Sequence, residues 1–258
     1  MNNILIKVEN LVKTFGGLVA LNDCSLEIKD KAITGIIGPN GSGKTTLFNV
    51  ITGNLKPDTG KVFYNGVEIT NEESHDLFHL GVLRTFQIAH EFSNMTVIEN
   101  LMVVPGNQKG EKLLYSLMNS QKIKKEDELI KDKAMEVLKF LKIEHLKNER
   151  AGNLSGGQKK LLELARTMMV DAKIVFLDEV GAGVNKTLLR DISDSILKLN
   201  QDKGYTFCMI EHDFNFISEL CDPVIVLAEG SVLFKGSADD VKSNEQVIES
   251  YLGKGLKK

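Results

Sequence analysis

Short apolar runs bounded by glycine or charge recur along this chain, separated by stretches whose apolar residues fall three and four apart. The run Ala32-Ile33-Thr34-Gly35-Ile36-Ile37 has the near-continuous hydrophobicity of a strand buried on both faces. Residues 44–51 put Leu47, Val50 and Ile51 on one side of a helix that Gly53 ends. Further on, 174–177 and 205–210 predict strands on either side of the segment 188–199, the alternation of strand and helix that a parallel sheet requires. Residues 224–227 and 231–234, joined at Glu229-Gly230, predict a terminal hairpin.

The pattern changes between these blocks. From the N-terminus to Gln87, strand-like segments at 5–8, 25–28 and 61–65 suggest a β-subdomain wrapped on the core that contains residues 32–51. Residues 88–152 read as a helical insert, with Ala134, Val137, Leu138 and Leu141 at helical spacing in 132–143 and a loop at Val104-Pro105-Gly106-Asn107. Residues 153–258 resume the core and close on the hairpin and a terminal helix. The whole reads as one α/β domain.

Composition narrows this picture. With 258 residues and 42% hydrophobic content the chain can bury a large core. A net charge of -3 gives no reason to expect broad attraction to nucleic acid. Lys122, Lys124 and Lys125 are followed by Glu126-Asp127-Glu128, which predicts a solvated helix face. Cys24, Cys208 and Cys221 have no metal or redox spacing and read as structural thiols of a reducing compartment. No signal peptide is recognisable and no apolar run approaches the roughly 20 residues needed to span a bilayer, so any membrane association would have to come through partners.

Chemistry concentrates at three places. Gly38-Pro39-Asn40-Gly41-Ser42-Gly43-Lys44-Thr45, followed by Thr46, matches the phosphate loop G-x-x-x-x-G-K-[ST] between a strand and a helix. Its backbone N–H groups, the helix N-terminus and Lys44 would cradle triphosphate oxygens, and the Thr45 hydroxyl would ligate Mg²⁺. Asp178 and Glu179 close the strand 174–177, where open α/β sheets bind ligands. Successive strand residues point opposite ways, so Asp178 is assigned to the Mg²⁺ shell and Glu179 to the attacking water. Leu154-Ser155-Gly156-Gly157-Gln158 opens a helix carrying Leu161, Leu162, Leu164, Ala165 and Met168, and so forms a second anion site.

With these motifs the sequence resembles the ATPase subunits of ABC transporters, P-loop NTPases whose signature motif is Leu154-Ser155-Gly156-Gly157-Gln158. The resemblance implies a head-to-tail dimer in which each signature helix meets the ATP on the opposite phosphate loop. It implies adenine stacking on Phe15, which alone would more often be a core residue. It also implies that Gln87 reaches the Mg²⁺ and the water, and that His212 contacts the γ-phosphate. Two positions depart from the family. Val180 stands where proline usually follows the glutamate, leaving the next loop less rigidly set. Asn185 stands where many members carry aspartate, keeping the acceptor and losing the charge.

Phe15-Gly16-Gly17-Leu18-Val19-Ala20-Leu21, Arg84-Thr85-Phe86-Gln87, the stretch 102–128 and Gly183-Val184-Asn185 look like the ATPases of branched-chain amino acid uptake systems. Cassettes for urea, short amides or lipopolysaccharide export share several of these features. A soluble, non-transport ABC ATPase and a regulatory subunit that holds ATP without turnover are further alternatives. The resemblance implies transmembrane permease subunits, a second ATPase (a heterodimer favoured over a homodimer), and indirectly a solute-binding protein. It places the chain peripherally on the cytoplasmic face of the inner or plasma membrane. Phe92, Met95, Val97 and Ile98 either line a groove for a permease helix or pack within the insert.

Overall fold

A computed structural model describes residues 3–85, 91–106, 108 and 120–252. It divides into two compact units, one formed by residues 1–87, 173–182 and 196–258 and the other by 88–172 and 183–195.

The first unit holds two sheets. The strands, in chain order, are β1 (Ile4–Phe15), β2 (Leu18–Lys29), β3 (Ile33–Ile37), β4 (Thr59–Tyr64), β5 (Val67–Glu68), β6 (Val82–Arg84), β7 (Ile174–Asp178), β8 (Thr206–Ile210), β9 (Val224–Ala228) and β10 (Ser231–Gly236). An antiparallel sheet runs β2-β1-β4-β5, and a second sheet runs β10-β9-β3-β8-β7-β6. In the second, β9, β3, β8, β7 and β6 are parallel, and β10 folds back antiparallel on β9. Every residue of β3, β7 and β8 is buried, the state their unbroken apolar runs demand. The β9–β10 turn needs positive φ at both central residues, and Glu229 (51°) and Gly230 (81°) adopt it.

The helix Lys44–Ile51 lies in the core of this unit. Its Leu47, Phe48, Val50 and Ile51 are buried in one cluster with Leu21, Val62, Phe176 and Leu227. Phe48 meets Phe176 of β7 edge to face, with ring centroids 5.0 Å apart, so the helix that follows the phosphate loop is keyed to the strand that carries Asp178.

The predicted strands 5–8 and 25–28 are fragments of 12-residue strands. Their pairing slips between Val8 and Leu11. There Asn10 and Asp23, both with φ near 50°, share a 2.6 Å side-chain hydrogen bond. Polar bulge residues inside a strand break the alternation that reveals strands in a sequence.

In the second unit the helix Ser120–Phe140 starts well before the predicted 132–143, taking in the mostly exposed charged segment at 122–128, and ends at Phe140 rather than at 143, so that Leu141 lies just beyond it. Ala134, Val137, Leu138 and Leu141 are buried as their spacing requires. Asn100 is fully buried, accepting the Phe92 N–H at 2.8 Å and donating to the carbonyls of Phe92 and Thr96. That network leaves Phe92 and Met95 exposed while Val97 is completely buried, which removes Val97 from any groove. Among the described residues no helix is long and apolar enough to cross a membrane.

Candidate functional site

The phosphate loop leaves β3 at Ile37 and enters the helix at Lys44. A Cβ on Gly38 would stand 2.2 Å from the Leu227 carbonyl oxygen, and one on Gly43 would stand 2.4 Å from that of Ala20, so glycine is obligatory at both. Gly43 takes the N-cap position with φ 99°, no side chain caps the helix and no acidic residue lies in its first turn. The first N–H groups of this helix therefore have no side-chain cap of their own, and its positive dipole end faces no acidic residue in its own first turn. Lys44 turns its ammonium back onto the carbonyls of Gly38 and Pro39, at 2.7 and 3.1 Å. Burial lowers its pKa, against the charges of Glu179 and Asp178, which raise it.

One open cleft is lined by Phe15, Leu18 and Ala20, by the loop residues Asn40, Gly41, Ser42, Gly43, Lys44, Thr45 and Thr46, and by Glu179 and His212. Phe15 is 49% exposed at the end of β1, so it is not the core residue that an isolated aromatic would more often be. Lys13 sits 5.8 Å from its ring centroid and is held by Asp58 at 2.7 Å. Asp58 also accepts the N–H and hydroxyl of Thr14, and these partners pull its pKa down to about 2, the Lys13 hydrogen bond first.

The carboxylates at the end of β7 have separate surroundings, as opposite strand faces require. Asp178 is buried and its Oδ2 lies 2.8 Å from Nη2 of Arg84 at the end of β6, with side-chain exposures of 4% and 7%. Arg84 also donates to Asn49 on the phosphate-loop helix and sits 5.7 Å from the Phe48 ring centroid. Glu179 turns into the cleft with φ 51°, and its Oε1 lies 2.9 Å from His212 Nε2. His212 follows β8 by two residues. Asp213 caps the next helix (Phe214–Leu220) by accepting the N–H groups of Asn215 and Phe216.

The turn around Val180, which has no proline to set its path, is tied to its neighbours by hydrogen bonds. Val180 is buried, the Glu179 N–H donates to the Ile210 carbonyl at 3.0 Å, and the Gly181 N–H donates to Glu211 Oε1 at 2.7 Å.

In the second unit the helix Gly156–Met168 begins with a reciprocal cap. Ser155 Oγ accepts the Gln158 N–H at 3.4 Å, and Gln158 Oε1 accepts the Ser155 N–H at 2.9 Å. Gln158 thereby acquires a local task. Leu154 is buried behind the turn and Gly157 is buried within it, while Ser155 and Gly156 are exposed. Asn185 caps the helix Lys186–Lys203, its Oδ1 accepting the Leu188 N–H at 2.9 Å, which asparagine does as well as aspartate. Gln87 lies outside the described residues.

Of the residues assigned to Mg²⁺, Thr45 lines the cleft, whereas Asp178 is not among the residues lining it and is buried in its ion pair with Arg84; hydroxyl and carboxylate oxygens are the donor types that suit a hard cation. Sequence reasoning missed Arg84, Asn49 and Glu211. Arg84 stands inside a motif already singled out, but nothing in a single sequence pairs it with a residue 94 positions away.

A family model described as ABC transporter matches residues 21–182. The probable branched-chain amino acid transport ATP-binding protein LivG of Archaeoglobus fulgidus is 43% identical, covering 96% of this chain and 95% of its own length. A solved ATP-binding cassette of an ABC transporter in its ADP conformation is 41% identical with a TM-score of 0.83, covering 97% of this chain and 99% of its own. A dimeric cassette in a post-hydrolysis state, bound to ADP and Pi, is 25% identical with a TM-score of 0.75, covering 91% and 99%.

Proposed function

This chain belongs to the ABC transporter family, and we propose that it is the ATPase subunit of an importer for branched-chain or other small amino acids, acting on separate transmembrane permease subunits. The observation that carries the hydrolytic part is the 2.9 Å contact between Glu179 and His212 at the mouth of a phosphate loop whose helix end has no cap of its own. The near full-length likeness to a LivG protein supports the cargo.

In this reading the loop N–H groups and Lys44 bind the β- and γ-phosphates, Lys44 exchanging its two loop carbonyls for phosphate oxygens. Phe15 stacks on the adenine. Thr45, Asp178 and Gln87 hold Mg²⁺, which offsets charge on the phosphate oxygens when bound. Glu179 orients a water and takes its proton as the water oxygen bonds to the γ-phosphorus and the bond to the ADP oxygen breaks. His212 donates its Nε2–H to Glu179 and so holds it in place beside the γ-phosphate. Arg84 holds Asp178 in place through their 2.8 Å ion pair.

The second anion surface, at Ser155, Gly156 and Gly157, serves the nucleotide of a partner cassette. Two cassettes then close on two ATP molecules and reopen after hydrolysis. The partner is a second ATPase, in a heterodimer rather than a homodimer. A solute-binding protein acts through the permeases, and the chain sits peripherally on the cytoplasmic face of the membrane.

Purification of the tagged protein from gently solubilised native membranes, followed by mass spectrometry, tests this. Recovery with multi-spanning membrane proteins and a second ATPase is expected. Recovery with ribosomes or DNA-repair proteins, and no membrane protein, would overturn the transport reading.

A further inference from the structure

The turn that presents Glu179 is one that its own sequence does not favour. At φ 51° a residue with a Cβ sits in the sterically disfavoured left-handed region, and glutamate has no short polar side chain to offset this locally. The next residue, Val180, is not a proline, so no ring stiffens the path. Such a conformation persists only where its surroundings hold it. Two of the bonds that do so are main-chain: the Glu179 N–H to the Ile210 carbonyl at 3.0 Å, and the Ala182 N–H to the Glu179 carbonyl at 3.3 Å.

A further bond is made by a side chain. Glu211, one residue beyond β8, is only 4% exposed, and its Oε1 accepts the Gly181 N–H at 2.7 Å. Burial pushes its pKa up and the Glu179 charge pushes it further, while the N–H groups of Gly181 and His212 and the His212 side chain act against this. A carboxylate is a costly way to fill such a space, and an apolar side chain would fill it without desolvating a charge. What the carboxylate adds is a charge-assisted bond between two chain segments. One segment follows Glu179 and the other leads directly into His212, whose ring touches Glu179.

We propose that Glu211 is a positioning residue for hydrolysis: by accepting the Gly181 N–H, its buried carboxylate locks the turn after β7 and so fixes Glu179 against His212. This rests on the reading that Glu179 handles the attacking water. Glu211 touches neither nucleotide nor water in this account, so it acts on turnover rather than on binding.

Steady-state phosphate release with Mg²⁺ and varied ATP, alongside binding of a fluorescent ATP analogue and thermal melting, tests the proposal on wild type, Glu179→Gln, Glu211→Gln and Glu211→Leu. Glutamine keeps an oxygen for the Gly181 N–H and is expected to retain about a third or more of kcat, whereas leucine has similar bulk and no acceptor. Glu211→Leu is expected to lose about tenfold or more in kcat with KM and analogue affinity within about twofold, because misplacing a catalytic group costs rate rather than binding. A folded Glu211→Leu with near-wild-type kcat, or a Glu211→Gln as slow as the leucine variant, would overturn it. Should the leucine variant fail to fold, Glu211→Thr, whose hydroxyl stops short of Gly181, is read against the same outcomes. Glu179→Gln keeps the two failures apart: if that variant hydrolyses ATP like wild type, the reading of Glu179 has failed and the proposal falls with it. If it is inactive while Glu211→Leu is fast, only the proposal has failed.

Discussion

His212 Nε2 and Glu179 Oε1 lie 2.9 Å apart, joining the residues that follow two adjacent parallel strands, β8 and β7. Their side chains are 49% and 18% exposed, so the imidazole stands at the cleft surface and the carboxylate beneath it. A contact of this kind orients the carboxylate and leaves the rest of the ring for the nucleotide. His212→Ala is expected to lower the rate of phosphate release by about 10²-fold or more, the scale of one lost electrostatic contact to a transition state, with little change in ATP affinity. Parallel rate and binding measurements check this, and an equal loss in both would place His212 in ground-state binding.

Arg84 and Asp178 form a buried pair, with side-chain exposures of 7% and 4%. Removing one member of such a pair strands the other charge, at a cost of about 3–5 kcal/mol. Arg84→Met should therefore lower the urea midpoint substantially and raise the Mg²⁺ concentration needed for half-maximal hydrolysis. Urea titration and Mg²⁺ titration of the purified variant read the two effects separately.

Gly156 presents the opposite case to Gly38. A Cβ at Gly156 would meet nothing within 4 Å, and its φ is not positive, so this chain's own packing does not require glycine there. Gly156→Ala is expected to leave the melting temperature unchanged or slightly raised, through better helix propensity, while reducing ATP hydrolysis. A fall in both would mean that the glycine serves the fold rather than an approaching nucleotide.

The acid limb of stability carries the mark of Asp58. Its pKa in the fold, about 2, lies below the ordinary 3.8, so it favours the folded state fully above pH ~4. That contribution is lost as the pH falls towards 2. The stability difference between wild type and Asp58→Asn should be constant from neutral pH down to about pH 4 and shrink below it, as read by urea titration at stepped pH.

Much of this was legible in the sequence wherever local physics alone decides the outcome. Residues 44–51 are helical to the residue, and β3, β7 and β8 are buried from end to end, because an apolar run beside a glycine loop has few other states. The three-residue β6 was not legible, being too short to show a period and taking its place from pairing with β7. Phe15 as an adenine-stacking residue and His212 as a γ-phosphate contact came from resemblance, since neither position has a local signature, and the pairing of His212 with Glu179 came only from the structure. Arg84 and Glu211 could not have been found in this way. Their roles depend on contacts 94 and 30 residues away in sequence, which only the assembled sheet creates.

The most direct test of the account is phosphate release by purified wild type and Glu179→Gln, measured with Mg²⁺ and saturating ATP, with nucleotide binding followed on the same samples. Turnover by wild type, with a glutamine variant that binds ATP equally well and releases almost no phosphate, is the expected result. Equal release by the two proteins would contradict it, and would remove Glu179 from the chemistry while leaving the phosphate loop as a binding site alone.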